Sequence, residues 1–338
     1  MSSNARASRS LTVLMFHGIV KEMPAHAVFP GSRTCMIREC DFDAVVRWCT
    51  RRMRIATLDD LPRYVRGEAT EPGVLITFDD GLSSVVDLAL PILRRHKATA
   101  VLFVTTGWVD SQASPAIFRL ERALWENPPR ELKVRVRGEE LLVPIGKRAM
   151  TGAAVAKLWA WCLDRRVAPV TLAPDSVLLD DRPWTPGPST RSRDEWFPAT
   201  WDDIADARRS GTLEIGAHGA THTPWSWLSA AERRREIAEP FERLRSLIGD
   251  TVATCSYPHG LYDDDARAEL RRHYAYAFTT RGGIVSDEPV DLLPRFHVPS
   301  ERPVDMRLIV RWPLAGRVLR KGTSLARLLG ERAGNALS

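Results

Sequence analysis

The chain has 338 residues, 44% of them hydrophobic and 27% charged, enough apolar material for one large domain or two modest ones. Its 23 prolines and 21 glycines are scattered, not massed in one tract, which excludes a fibrous or low-complexity chain. The net charge is +6 and much of it is local, since residues 301–338 hold eight basic and three acidic side chains.

Five cysteines, Cys35, Cys40, Cys49, Cys162 and Cys255, form no C-x-x-C pair, so neither a disulfide framework nor a cysteine zinc site is expected. That usage fits a reducing, cytoplasmic compartment. The polar start and the interrupted apolar run Leu11–Val20 do not read as a signal peptide, and no stretch reaches the roughly 20 apolar residues that span a bilayer. The basic tail, 301–338, reads as a terminal helix on the domain or as a segment for peripheral contact with an anionic membrane face. No nucleic-acid motif accompanies the charge.

In chain order, apolar runs alternate with helical periodicity, the pattern of a parallel α/β sheet or barrel. Leu11–Phe16 reads as a buried strand, and Asp41 as the cap of a helix with Phe42, Val45, Val46 and Cys49 on one side. A short strand is expected at Ile55–Leu58, a second buried strand at Val74–Phe78, a helix over Ser83–His96 despite Pro91, and a strand at Thr99–Val104. Between about 108 and 200 the rhythm lapses into an insertion of helices and a hairpin, the latter built on Leu132–Arg137, Gly138-Glu139 and Leu141–Val143. A helix from Trp201 to Ser210, a strand at Leu213–Ile215, a helix over Ala231–Leu247, a strand at Ala253–Tyr257 and a strand near Tyr276–Thr279 complete the series. One domain, 11–300, followed by the tail is the expected organisation.

Two segments carry chemistry. Thr77-Phe78-Asp79-Asp80-Gly81 puts adjacent carboxylates at the C-terminal end of a buried strand, where α/β folds gather functional groups. Two ionised acids there repel, so a cation or a division of labour is expected. His218-Gly-Ala-Thr-His222 follows another strand, and neutral imidazoles at this spacing converge on a divalent ion with one carboxylate completing an open site.

With both segments, the chain resembles the polysaccharide deacetylases of the NodB-homology class, carbohydrate esterase family four. Thr77–Gly81 matches the first motif of that family and His218–His222 its second. The resemblance runs from about Leu11 to Pro299. It implies a distorted (β/α)7 barrel, a divalent metal such as zinc held by Asp80, His218 and His222, and Asp79 as base for hydrolysis of an N-acetyl or N-formyl group on an amino sugar. It also implies that Tyr257-Pro258-His259-Gly260 is the loop that lends a backbone N–H to the oxyanion. Many members place arginine two residues before that proline, where this chain has Ser256, and Arg295 is the expected replacement as partner of Asp79. For the acid, His17 at the end of the first strand competes with His297. His17 is preferred because the opening is similar to that of exopolysaccharide deacetylases whose acid comes from the N-terminal strand.

Two other functions fit parts of this pattern: a catalytically silent carbohydrate-binding relative, and a hydrolase of a non-sugar amide. Trp108, Trp125, Trp196 and Trp201 are candidate sugar-stacking faces. The tail suits a lipid- or nucleotide-linked sugar as the N-acylated substrate.

Overall fold

The computed structural model describes residues 10–249, 254–285 and 288–298. Nine strands form the main sheet: β1 (Leu11–Phe16), β2 (Arg54–Ile55), β3 (Gly73–Phe78), β4 (Ala100–Val104), β5 (Leu213–Ala217), β6 (Thr254–Ser256), β7 (Tyr276–Phe278), β8 (Ile284–Val285) and β9 (Phe296–His297). Seven lie in the order β7-β6-β5-β4-β3-β1-β8, with β9 beside β1 and β2 beside β3. Every pairing is parallel except that of β1 with β8. The sheet curls into a half-barrel, the distorted (β/α)7 architecture. Parallel strands covered on both faces need apolar side chains throughout, and β1, β3 and β4 are buried at every residue. All of their C-terminal ends point to one mouth.

Helices α1 (Glu39–Thr50), α2 (Ala116–Glu126), α3 (Thr151–Asp164), α4 (Trp201–Arg209), α5 (Ala230–Ile248) and α6 (Asp264–Leu270) are the longest. Thr200 and Ser229 begin α4 and α5 with capping boxes closed by Asp203 and Glu232, each satisfying amides that a helix start leaves open. Asp41 is not a cap: α1 starts at Glu39, and Asp41 accepts from Arg38 Nε at 2.7 Å. The helix expected over 83–96 is helical without a break from Ser83 to Arg95, with a π-helical turn at Val85–Ala89 leading into Leu90–Arg95, because Pro91 has no N–H to give to a regular α ladder. The strand expected to reach Leu58 stops at Ile55, since Thr57 opens a 3-10 turn with Asp60.

The segment between β4 and α4 builds its own layer. Glu131–Val136 and Glu139–Pro144 pair as an antiparallel hairpin across Arg137-Gly138, both at positive φ as a two-residue turn of this kind demands. Val177–Leu179 adds a third strand and Arg182–Pro183 a fourth. Their apolar faces join α2 and α3 in a core separate from that of the barrel. Val20, Ala27, Phe29 and Met36, from the stretch after β1, belong to this second core. Glu121, 2% exposed, ties the two together by accepting Val28 N–H at 2.8 Å and Phe29 N–H at 2.7 Å. The tail 301–338 and Ala253 lie outside the described residues. Among those described, no helix is long and apolar enough to cross a membrane.

Candidate metal centre and catalytic site

Four strand ends deliver the site. β3 runs straight into Asp79 and Asp80, β5 into His218, β6 into Tyr257 through Ser256, and β1 into His17. Asp79 N–H donates to Phe16 O at 2.9 Å and His218 N–H to Val104 O at 2.8 Å, so both chemical residues are pinned by the sheet ladder itself.

Asp79 and Asp80 are each 2% exposed, His218 2% and His222 8%. Asp80 Oδ1 lies 3.3 Å from His222 Nε2 and 3.6 Å from His218 Nε2, without a hydrogen bond of its own among the described residues. His218 Nδ1–H donates to Ser256 O at 2.9 Å, with Ser256 Oγ 2.6 Å away. That fixes the tautomer and leaves the Nε2 lone pair facing Asp80, the outer-shell arrangement of a metal-binding histidine. A buried carboxylate oxygen that faces two imidazole nitrogens without hydrogen bonding to them has the chemistry of a ligand set, and these three residues fit a divalent cation. Burial pushes the His218 imidazole down to about 4, which keeps it in the neutral, ligating form. Burial would raise the Asp80 carboxyl, but the adjacent His222 outweighs it and holds the group below the usual carboxylate range.

Arg295, with no solvent exposure, clamps Asp79 from β9's entrance: NH1 donates to Oδ1 at 2.7 Å and NH2 to Oδ2 at 2.8 Å. Its Nε donates to Thr279 O at 3.0 Å, which fixes the guanidinium plane. Ser256 Oγ donates to the same Asp79 Oδ1 at 3.2 Å. Burial pushes the Asp79 carboxyl up; the Arg295 charge and its hydrogen bonds win and hold it well below the usual carboxylate range. Asp79 Oδ2 stands 4.0 Å from His218 Nε2, so this carboxylate sits against the Asp80–His218–His222 cluster.

His17 and His297 face each other across the mouth, ring centroids 5.9 Å apart, since β9 pairs Met15 with His297. Burial and then the neighbouring His17 push His297 down to about 3. The Tyr257–Gly260 loop divides: Tyr257 is fully buried with its hydroxyl on Asp291 O at 3.0 Å, and Pro258 is buried as well. His259, at φ 56°, lays its ring against His222, centroids 4.6 Å apart. Of the four tryptophans, Trp108 reaches the site, stacked on His222 at 5.4 Å. Trp196 stacks on Phe118 inside the second core, Trp201 donates to Asp110, and Trp125 packs under Arg148.

Sequence reasoning gave no positive role to Ser256 or Glu236. Glu236 on α5 accepts Ala220 N–H at 3.0 Å and Thr221 N–H at 3.1 Å, holding the His218–His222 loop. Its signal was an acid on the inward face of α5, one residue before Ile237 and four before Pro240.

An arginine-clamped carboxylate beside a buried carboxylate and two imidazoles thus lies at the mouth of the half-barrel. A family model described as polysaccharide deacetylase matches residues 66–135 and 184–277, skipping most of the extra layer. The chain belongs to the polysaccharide deacetylase family, a family of carbohydrate deacetylases. Among solved structures it is similar to the Streptococcus pyogenes deacetylase PplD in complex with acetate, with a TM-score of 0.59 at 14% identity, covering 90% of this chain and 99% of that one. IcaB from Ammonifex degensii has a TM-score of 0.56 at 16% identity, covering 90% and 98%. For the polysaccharide deacetylase BA0330 of Bacillus anthracis the TM-score is 0.55 at 16% identity over 87% of this chain, which spans 66% of that protein. No curated protein sequence matches the chain.

Proposed function

We propose that the chain is a metal-dependent N-deacetylase of an amino sugar. The observation that carries this reading is the buried Asp79 carboxylate, clamped by Arg295 and facing the Asp80–His218–His222 cluster. Asp80, His218 and His222 would hold the divalent ion, with zinc the natural choice for a two-imidazole, one-carboxylate set. When bound, such an ion supplies Lewis acidity, making water a better nucleophile and drawing charge from a carbonyl oxygen.

The protein's own residues do the rest. Asp79 Oδ1 already takes donors from Arg295 and Ser256, while Oδ2 takes one from Arg295, so Oδ2 is the oxygen with room for the proton of the attacking water. Because Asp79 is held well below the usual range, it is ionised at any working pH and accepts that proton only transiently. In the Tyr257–Gly260 loop, the Tyr257 and Gly260 amides donate to Phe278 O and Tyr257 O and Pro258 has none, which leaves His259 N–H as the donor for an oxyanion. His17 protonates the departing amine; His297, pushed down to about 3, is neutral near pH 7 and has no proton to give. Water and an N-acyl sugar become a carboxylate and an amino sugar. The basic segment 301–338 favours an anionic acceptor, so lipid- and nucleotide-linked sugars belong in the substrate panel.

The test is metal content together with acetate or formate release from N-acyl sugars. Asp79→Asn should keep its metal and lose about 100-fold or more in turnover, whereas Asp80→Ala should lose the metal as well. An active Asp79→Asn enzyme rules out the base assigned here.

A further inference from the structure

A second cluster of ligating side chains stands beside the first and takes no part in the chemistry above as a group. His17, Cys35 and His297 each offer one donor atom, and these atoms all lie within 4.8 Å of one another. We propose that this trio is a second, inhibitory cation site for a borderline or soft ion of the zinc type.

Backbone bonds hold the three donors at one end of β1. Gly18 N–H donates to Cys35 O at 3.0 Å, bringing the thiol beside His17, and Val298 N–H donates to Met15 O at 3.2 Å, bringing His297 from the other flank. His17 Nδ1 is buried and has no hydrogen-bond partner among the described residues. Each residue is partly exposed, so an ion has a path in. Two imidazoles and a thiolate form the kind of donor set that zinc, cadmium and copper(I) prefer over hard cations. Zinc–sulfur and zinc–nitrogen bonds of about 2.3 and 2.1 Å at tetrahedral angles place ligands roughly 3.5 Å apart, which side-chain shifts of about 1 Å achieve. Binding is balanced by release of the Cys35 thiol proton: the sulfur–hydrogen bond breaks, a sulfur–metal bond forms and the proton goes to solvent.

The kinetic consequence rests on His17 as the proton donor. A ring nitrogen bound to an ion carries no proton, so filling the second site stops amine protonation while the first site stays intact. Cys35 has no role in the reaction proposed above, which makes Cys35→Ser the informative variant.

The experiment titrates the holoenzyme with Co2+ and follows metal content and absorption. Wild type should take up an equivalent beyond the first, accompanied by a near-ultraviolet thiolate-to-cobalt charge-transfer band. Cys35→Ser and His297→Ala should each lose that band and that equivalent while keeping the first metal, and Cys40→Ser should keep both. Excess Zn2+ should slow acyl release by wild type at least tenfold more than by Cys35→Ser. In unmodified wild type the same excess should shield Cys35 from alkylation by N-ethylmaleimide, a readout that needs no variant to fold. Absence of the band at saturating Co2+, or a band that survives Cys35→Ser, overturns the proposal. If no sugar is deacetylated at all, the band still reports on the site, and the loss falls on the enzymatic reading alone.

Discussion

At the residue scale the centre turns on one ion pair. Arg295 spends both terminal nitrogens on Asp79 in a place where both side chains are buried. Removing one partner of such a pair leaves a buried charge unanswered, which costs about 3–5 kcal/mol. Arg295→Met should lower stability by that order in chemical denaturation. With the cation gone, the Asp79 carboxyl rises, so the acid limb of the kcat/KM profile should move to higher pH; an unmoved limb would show that Asp79 does not set it. Asp79, Asp80, His218 and His222 were legible in the sequence because each pair sits within one short motif that follows an apolar strand. Arg295 was reached only by elimination, after Ser256 was found in the place expected for arginine. The Ser256 hydroxyl was not legible as a partner of Asp79, being 177 positions away along the chain. Cys35 gave no sign either, since a single cysteine in a stretch without regular periodicity carries no spacing to read.

At the scale of elements, long apolar runs announced β1, β3 and β4, and the hairpin declared itself by alternation. What failed were the boundaries, where local competition decides. Pro91 put a π-turn inside the helix that runs from Ser83 to Arg95, and Asp41 was drawn to Arg38 instead of to a helix start. The loop after β6 depends on a glycine in a way that sequence alone does not disclose. Gly260 has φ +70°, and a Cβ there would stand 2.1 Å from Thr280 Oγ1. Gly260→Ala should therefore destabilise by about 1 kcal/mol or more and lower turnover, through displacement of the His259 amide. Adding Thr280→Gly should recover part of both losses, because it removes the clashing side chain. A double variant no better than the single one would place the strain in the backbone alone.

At the scale of the whole molecule, the extra layer is not a passive insertion. It shares a core with the stretch after β1, so the side chains that position Cys35 and the region beyond His17 are packed by residues from 108–200. The lapse of βα rhythm set 108–200 apart in the sequence but gave no hint of this sharing, which needs contacts about 90 positions apart, such as Glu121 with Phe29. Burial raises the Glu121 carboxyl even against the amides of Phe29 and Val28 that favour its charge. A carboxyl raised in the fold stabilises fully below its unfolded value, about 4.3, and that contribution is lost as pH rises through the folded pKa. Glu121→Gln keeps an acceptor oxygen without the charge. Denaturation at several pH values should show the variant losing less stability than wild type between about pH 4 and 7. Identical slopes would mean that Glu121 is not a source of the pH dependence. The backbone beneath the ligands carries a last consequence. Asp80 at φ 77° and His222 at φ 66° both occupy the left-handed region, which costs a non-glycine residue roughly 1–2 kcal/mol. Glycine would relieve that strain at either position, so the backbone beneath Asp80 and His222 is held at a cost to folding that the side chains it presents must justify.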